Sequence, residues 1–169
     1  MRYFVSVLFL VMLAIGFAQG GDEAIYTINC VACHQASGEG LAGAFPNLKG
    51  NVSEIVGLEG GRDYLIRAVL FGMKGEIKVV DNVFNGTMPA WVSLSDEDIA
   101  GVLNYVVKAW EQELPEVFEE FTAEEVAAAR GEELSFDDVL ALRPDRICLL
   151  GVCVKEGAKK WTPPSRQNP

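Results

Sequence analysis

The chain predicts a mainly α fold with a small β-hairpin and a C-terminal helical extension. Three observations carry that reading. Ile99, Val102, Leu103, Val106 and Trp110 recur at helical spacing and form one apolar stripe behind Ser95. Thr122 and Ser135 each stand before a short periodic run, as helix N-caps do. Between the helical stretches, residues 77–80 and 82–84 alternate weakly, the mark of two short strands. With 169 residues, 50% apolar and 22% charged, the chain suits one globular domain plus an extra segment, and it is not disordered throughout.

Residues 1–18 read as a signal peptide. Met1 and Arg2 supply a short positive start, residues 4–17 are almost unbroken apolar sequence, and Gly16 and Ala18 are small residues where a signal peptidase reads. Fourteen such residues fall short of the roughly 20 that span a bilayer, although an uncleaved N-terminal anchor is the alternative. The first cysteine is Cys30, so a lipidated N-terminus is not indicated. The mature chain is expected to begin near Gln19, soluble in an oxidising, periplasmic compartment.

Residues 22–34 suit a helix, and Cys30-Val31-Ala32-Cys33-His34 lies at its end. This is C-x-x-C-H, the attachment pattern of c-type haem. On a helix Cys30 and Cys33 are i and i+3, and His34 is i+4 from Cys30, so all three project from one face. Two thiols can then meet the two vinyl groups of one porphyrin while the imidazole meets the iron. A thioredoxin-like dithiol would want a strand before the motif, and a zinc site would want further ligands nearby. Neither context is present. His34 is the chain's single histidine, which excludes multi-histidine zinc sites and a haem held between two histidines.

A sixth ligand can come from two methionines beyond the signal segment. Met88 lies in N-G-T-M-P-A-W (residues 85–91), where Gly86 and Pro89 predict a non-helical loop able to hold a side chain across a flat cofactor. Met73 ends the apolar run of residues 63–73, which reads as a helix stopped by Gly75, and a methionine there is more often core filler. Met88 is the preferred ligand.

The later elements follow in order. A hairpin is expected over residues 77–84, turning at Asp81 and Asn82. Ser95 and Asp98 form an approximate capping box for the striped helix, which should pack on the N-terminal helix through Ile25, Tyr26 or Ile28. Pro115 marks a boundary: residues 19–114 are expected to form the haem domain and residues 115–143 a helical extension. T-A-E-E at residues 122–125 opens a helix through Arg130, and Ser135 caps another with Phe136, Val139, Leu140 and Leu142 inward, stopped by Pro144. Residues 144–169 hold Cys148 and Cys153, expected to form a disulfide in an exported protein, with intermolecular pairing or free thiols as alternatives. The tail from Thr162 on should be disordered.

Lys plus Arg total 14 against 24 Asp plus Glu, a net charge of −10. A nucleic-acid binder needs a cationic face, so that class is excluded on charge. The acidity concentrates in residues 111–138, which hold 11 acids and only Arg130 as a base. A solvated acidic face is the plainer reading of that segment and a docking patch the sharper one.

With these residues in hand, the chain resembles the class I cytochromes c, and is most similar to the soluble cytochromes c of thermophilic bacteria that donate electrons to a terminal oxidase. Besides C-V-A-C-H and N-G-T-M-P-A-W, it shares G-x-F-P-x-L (residues 43–48), E-G-G-R-x-Y-L-I (residues 59–66) and F-T-A-E-E-V (residues 121–126) with them. The resemblance covers roughly residues 22–142. It implies the cytochrome c fold, one covalently bound haem c, His34 as proximal and Met88 as distal ligand, and Pro46 as the residue whose carbonyl receives the imidazole N–H. It also implies that the extension wraps the haem domain as a stabilising clamp.

The expected function is therefore single-electron transport by an exported mono-haem protein, without enzymatic activity of its own. Its expected partners are a quinol-oxidising complex and a terminal oxidase, met by a monomer in transient docking to membrane complexes. The alternative is a haem c subunit of a larger periplasmic oxidoreductase complex. A ligand-binding haem would require an open sixth position, which a Met88 ligand denies.

Overall fold

The computed structural model describes residues 21–79 and 82–144, together with the backbone of residues 146–149 and 152–155. The expected signal peptide, the hairpin turn at Asp81 and the tail lie outside the described residues. Helix α1 (Gly21–Asn29) and the short α2 (Val31–His34) form one nearly continuous rod, followed by a loop and α3 (Asn51–Val56). Helix α4 (Gly61–Phe71) leads into the antiparallel pair β1 (Met73–Val79) and β2 (Asn82–Met88). Helix α5 (Asp96–Lys108) follows, then α6 (Ala123–Arg130) and α7 (Phe136–Leu142) of the extension. Last come β3 (Arg146–Leu149) and β4 (Val152–Lys155), an antiparallel pair in which Cys148 stands opposite Cys153. The expected disulfide falls on side chains outside the described residues.

The three cap signals are realised. Ser95, Thr122 and Ser135 each accept the backbone N–H three residues on, from Asp98, Glu125 and Asp138, whose carboxylates return to the cap N–H. Helices α1 and α5 pack together at the centre. Of the three residues proposed for that contact, Tyr26 makes it: it is 1% exposed and its ring lies 5.4 Å from Tyr105 and 5.5 Å from Trp110. Ile28 faces solvent at 77% exposure.

Several expectations need correction. The helix of residues 63–73 stops at Phe71, because Gly72 adopts φ +70° against the Met88 carbonyl, and Met73 opens β1 instead. The hairpin is therefore longer than the alternation suggested, and Met88 ends a strand rather than sitting in a loop. Asn82 pairs with Val79 and belongs to β2, not to the turn. The α5 stripe runs only to Lys108; Trp110 turns to φ +61°, where its indole N–H reaches the Ala36 carbonyl at 2.9 Å. In α7, Val139 is fully buried but Phe136, the first residue after the cap, is exposed.

The extension is fastened by arginines. Arg62 of α4 donates to the carbonyls of Glu119 and Glu120 and to the Glu125 carboxylate, and its guanidinium lies 4.2 Å from the Phe121 ring centre. The buried Arg67 bonds Glu132, and Arg130 returns to Asp96 and to the carbonyls of Val92 and Leu94. Asn104 of α5 bonds the backbone of Phe121 on both sides, accepting its N–H at 2.7 Å and donating to its carbonyl at 2.9 Å. Part of the acidic run is thus spent on ion pairs with the compact part of the chain, at Glu120, Glu125 and Glu132.

Candidate haem-binding site

The C-x-x-C-H residues gather at the junction of α1 and α2. Cys30 N–H bonds the Tyr26 carbonyl at 2.8 Å, and the Cys30 carbonyl receives the N–H of Cys33 at 3.1 Å and of His34 at 2.9 Å. One helical turn therefore aims both thiols and the imidazole into the same cavity. Gln35 then leaves the helix at φ +63°, and the Tyr26 hydroxyl pins that exit through the Gln35 carbonyl at 2.7 Å. The two thiols are not joined to each other, and burial together with the neighbouring Cys33 pushes the Cys30 thiol up to about 11.

The loop after the motif brings Pro46 under the ring. Gly40 N–H bonds the His34 carbonyl, Leu48 N–H bonds the Gly38 carbonyl, and Leu41 pairs with Phe45. The Pro46 carbonyl lies 3.0 Å from His34 Nδ1. A carbonyl only accepts, so Nδ1 carries the proton and Nε2 is left as a lone-pair donor. Burial lowers the His34 pKa, favouring the neutral ring a metal needs, while the Pro46 bond pulls the other way.

The hairpin forms another wall. Met73 pairs with Met88, Gly75 with Gly86 and Ile77 with Phe84, so these six share one face, and all six line the cavity. The two facing glycines leave that wall flat beside Met88. Trp91 N–H bonds the Val69 carbonyl at 3.0 Å and ties the strand exit back to α4.

Between these walls are two cavities of about 110 Å³ each, sharing His34, Pro46 and Met88 as lining residues. Their lining is overwhelmingly apolar, with Asn29, Asn51 and Arg143 among the few polar groups. The five residues singled out from sequence, Cys30, Cys33, His34, Pro46 and Met88, all line the first cavity. A flat, apolar macrocycle with two thiol attachment points, a nitrogen donor and a sulfur donor fits this set. Two thiols, one histidine and no carboxylate suit no closed zinc site. Among the described residues no group of three or more His, Cys, Asp or Glu is arranged to hold a bare metal ion.

The family model for cytochrome c oxidase, cbb3-type, subunit III matches residues 21–106. A cytochrome c-552 of Thermus thermophilus is 43% identical over 136 residues, which cover 80% of this chain and 91% of that protein. Another cytochrome c-552 of Thermus thermophilus is 45% identical over 123 residues, 72% of this chain and 94% of that one. This chain belongs to the cytochrome c family. It is a class I c-type cytochrome, and its cofactor is covalently bound haem c.

Several residues that shape the cytochrome's cavity carry no short-range signal in the sequence. Tyr64 is 3% exposed and its hydroxyl donates to Met73 Sδ at 3.3 Å. Arg143, just beyond α7, donates to the Tyr64 oxygen at 3.1 Å and to the Lys78 carbonyl at 3.3 Å. A polar residue inside the apolar run of residues 63–73 was the available hint for Tyr64. Nothing local marks Arg143 as a wall of the cavity.

Proposed function

We propose that this cytochrome is an exported mono-haem carrier of single electrons, in which Cys30 and Cys33 would anchor the haem through thioether bonds and His34 and Met88 would ligate its iron. The observation that carries the reading is the convergence of the C-x-x-C-H turn and Met88 on the lining of one apolar cavity. Bound there, the haem iron supplies a one-electron couple. The chain's own residues do the rest. Pro46 fixes the His34 ring and raises its basicity through Nδ1–H. Met88 offers a soft thioether that favours the ferrous state, and the apolar lining disfavours the extra charge of the ferric state and keeps water from the metal. Ligands that stay in place in both oxidation states make transfer through the cavity rim the natural activity, and the chain is read as a carrier rather than an enzyme.

Residues 1–18 act as the signal peptide, residues 19–114 as the haem domain and residues 115–143 as its clamp. The donor is a quinol-oxidising complex and the acceptor a terminal oxidase; the match to the cbb3-type oxidase subunit model supports a place in an oxidase-related chain. That same model, described as an oxidase subunit, favours a second reading as a haem subunit of a larger complex. Size-exclusion chromatography of the native protein separates the two. A monomer of the chain's own mass supports the carrier, and co-elution with other subunits supports the complex.

The ligand assignment is tested with carbon monoxide. The ferrous protein is expected not to bind it at neutral pH, and Met88→Ala is expected to bind it readily with a lowered reduction potential. Rapid binding by the unaltered protein would overturn Met88 as ligand.

A further inference from the structure

We infer that the β3–β4 hairpin is a tether for an anionic lipid surface, with its aliphatic face entering the bilayer and the basic residues at its open end meeting phospholipid headgroups. The inference rests on the exported-carrier reading above, and its test reads binding to vesicles, which does not depend on which residues hold the iron.

Register defines two faces. Ile147 pairs with Val154 and Leu149 with Val152, while Arg146 pairs with Lys155 and Cys148 with Cys153. Opposed residues of an antiparallel pair share a face and successive residues alternate between faces. One face is therefore Ile147, Leu149, Val152 and Val154, wholly aliphatic. The other is Arg146, Cys148, Cys153 and Lys155. Among the described residues, β3 and β4 make their main packing contacts with each other. A lone two-stranded hairpin is marginal in water, so its aliphatic face calls for a cover.

Charge says what the cover is. Arg146 and Lys155 are direct partners at the open end. Like charges set opposite each other weaken a strand pair, and an anionic surface beside them relieves that repulsion. Charge is also segregated along the chain. Residues 144–169 hold five bases and two acids, whereas residues 1–143 hold nine bases and 22 acids. An anionic surface thus repels the body of the protein and attracts this end, which orients the approach. Lys159, Lys160 and Trp161 follow in the sequence, the composition of segments that lie at headgroup level. The aliphatic face offers no aromatic anchor and no hydrogen-bonding side chain, which suits a fluid apolar phase better than a shaped protein pocket. A short apolar face joined to a few cations binds a membrane reversibly. A carrier held in this way searches for membrane-bound partners along a surface and is released as salt rises.

The test is flotation of the matured holoprotein with vesicles, followed by haem absorbance. One set is phosphatidylcholine alone, and the other contains an equal part of phosphatidylglycerol. At low salt the anionic vesicles should carry on the order of tenfold more protein than the neutral ones, and about 0.5 M salt should release most of it. Leu149→Ser/Val152→Ser should weaken binding to the anionic vesicles about tenfold. Arg146→Glu/Lys155→Glu should erase the preference for them. Circular dichroism checks folding, and Ile147→Ser/Val154→Ser repeats the experiment if the first pair does not fold. Equal binding to both vesicles by the unaltered protein, or undiminished binding by the serine variant, would overturn the tether. So would a concentration-dependent dimer, without vesicle binding, that Leu149→Ser/Val152→Ser dissolves, because a second copy would then cover the face. A failed vesicle test leaves the carrier reading standing, since the carbon monoxide and size-exclusion experiments test that reading separately.

Discussion

Asn104 is the point at which the clamp is most exposed to a single substitution. Its side chain is 7% exposed and makes two bonds to the backbone of Phe121, itself 3% exposed. Asn104→Ala removes both partners at once and leaves a buried N–H and a buried carbonyl without replacements. Each orphaned group costs about 1–3 kcal/mol, so the pair costs roughly 2–6 kcal/mol. For a chain of this length each kcal/mol moves the melting temperature by about 2–4 °C, which gives a loss of roughly 4–24 °C. The assay is thermal unfolding of the oxidised holoprotein by far-UV circular dichroism, with the visible spectrum as the check that the ligands are untouched. A loss under about 3 °C with an unchanged spectrum would refute the claim that this pair fastens the extension to α5.

Three further outcomes are expected. Gly38→Ala should cost about 1–2 kcal/mol, since Gly38 holds φ +69°, and a Cβ there would meet the Trp110 ring at 2.5 Å; near-UV circular dichroism should register the displaced indole, and an unmoved signal would contradict the contact. Gly86→Leu puts bulk on the flat wall facing Gly75 and should lower the ratio of haem absorbance to protein while far-UV circular dichroism stays unchanged; full haem loading would contradict the hairpin as a wall of the site. Glu125 is pushed up by burial, but more is regained from its bonds to Arg62 and Thr122 and from the Arg62 charge, so its pKa is lowered below 4.5. A lowered carboxylate stabilises the fold above its unfolded value and loses that contribution as pH falls through the folded one. Glu125→Gln should therefore flatten the acid limb of stability measured below about pH 4.5, and an identical limb would contradict the Arg62 pairing.

What was legible in the sequence was what depends on neighbours along the chain. Cys30, Cys33 and His34 fall within one helical turn, so their common direction follows from helix geometry alone. The caps at Ser95, Thr122 and Ser135 act across three residues and appear where they were read. The errors arose where a distant contact overrode a local pattern. The apolar run through Met73 looked continuous because the left-handed Gly72, packed against Met88, is set by a strand sixteen residues further on. Trp110 fit the stripe of α5 but is drawn out of it by Ala36 and Gly38. Phe136 was assigned inward by its apolar character, yet the first position of a capped helix here points to solvent. The hydrogen bond from Arg143 to Tyr64 spans 79 residues, and no spacing rule reaches that far.

The central claim is that a single porphyrin is covalently joined to the turn that carries the chain's only histidine. The most direct measurement is peptide mapping of the matured, purified protein by mass spectrometry. One haem should be found, on the fragment containing Cys30 and Cys33 and on no other. A fragment of bare peptide mass at residues 30–34, or haem attached to a peptide containing Cys148 and Cys153, would contradict the account.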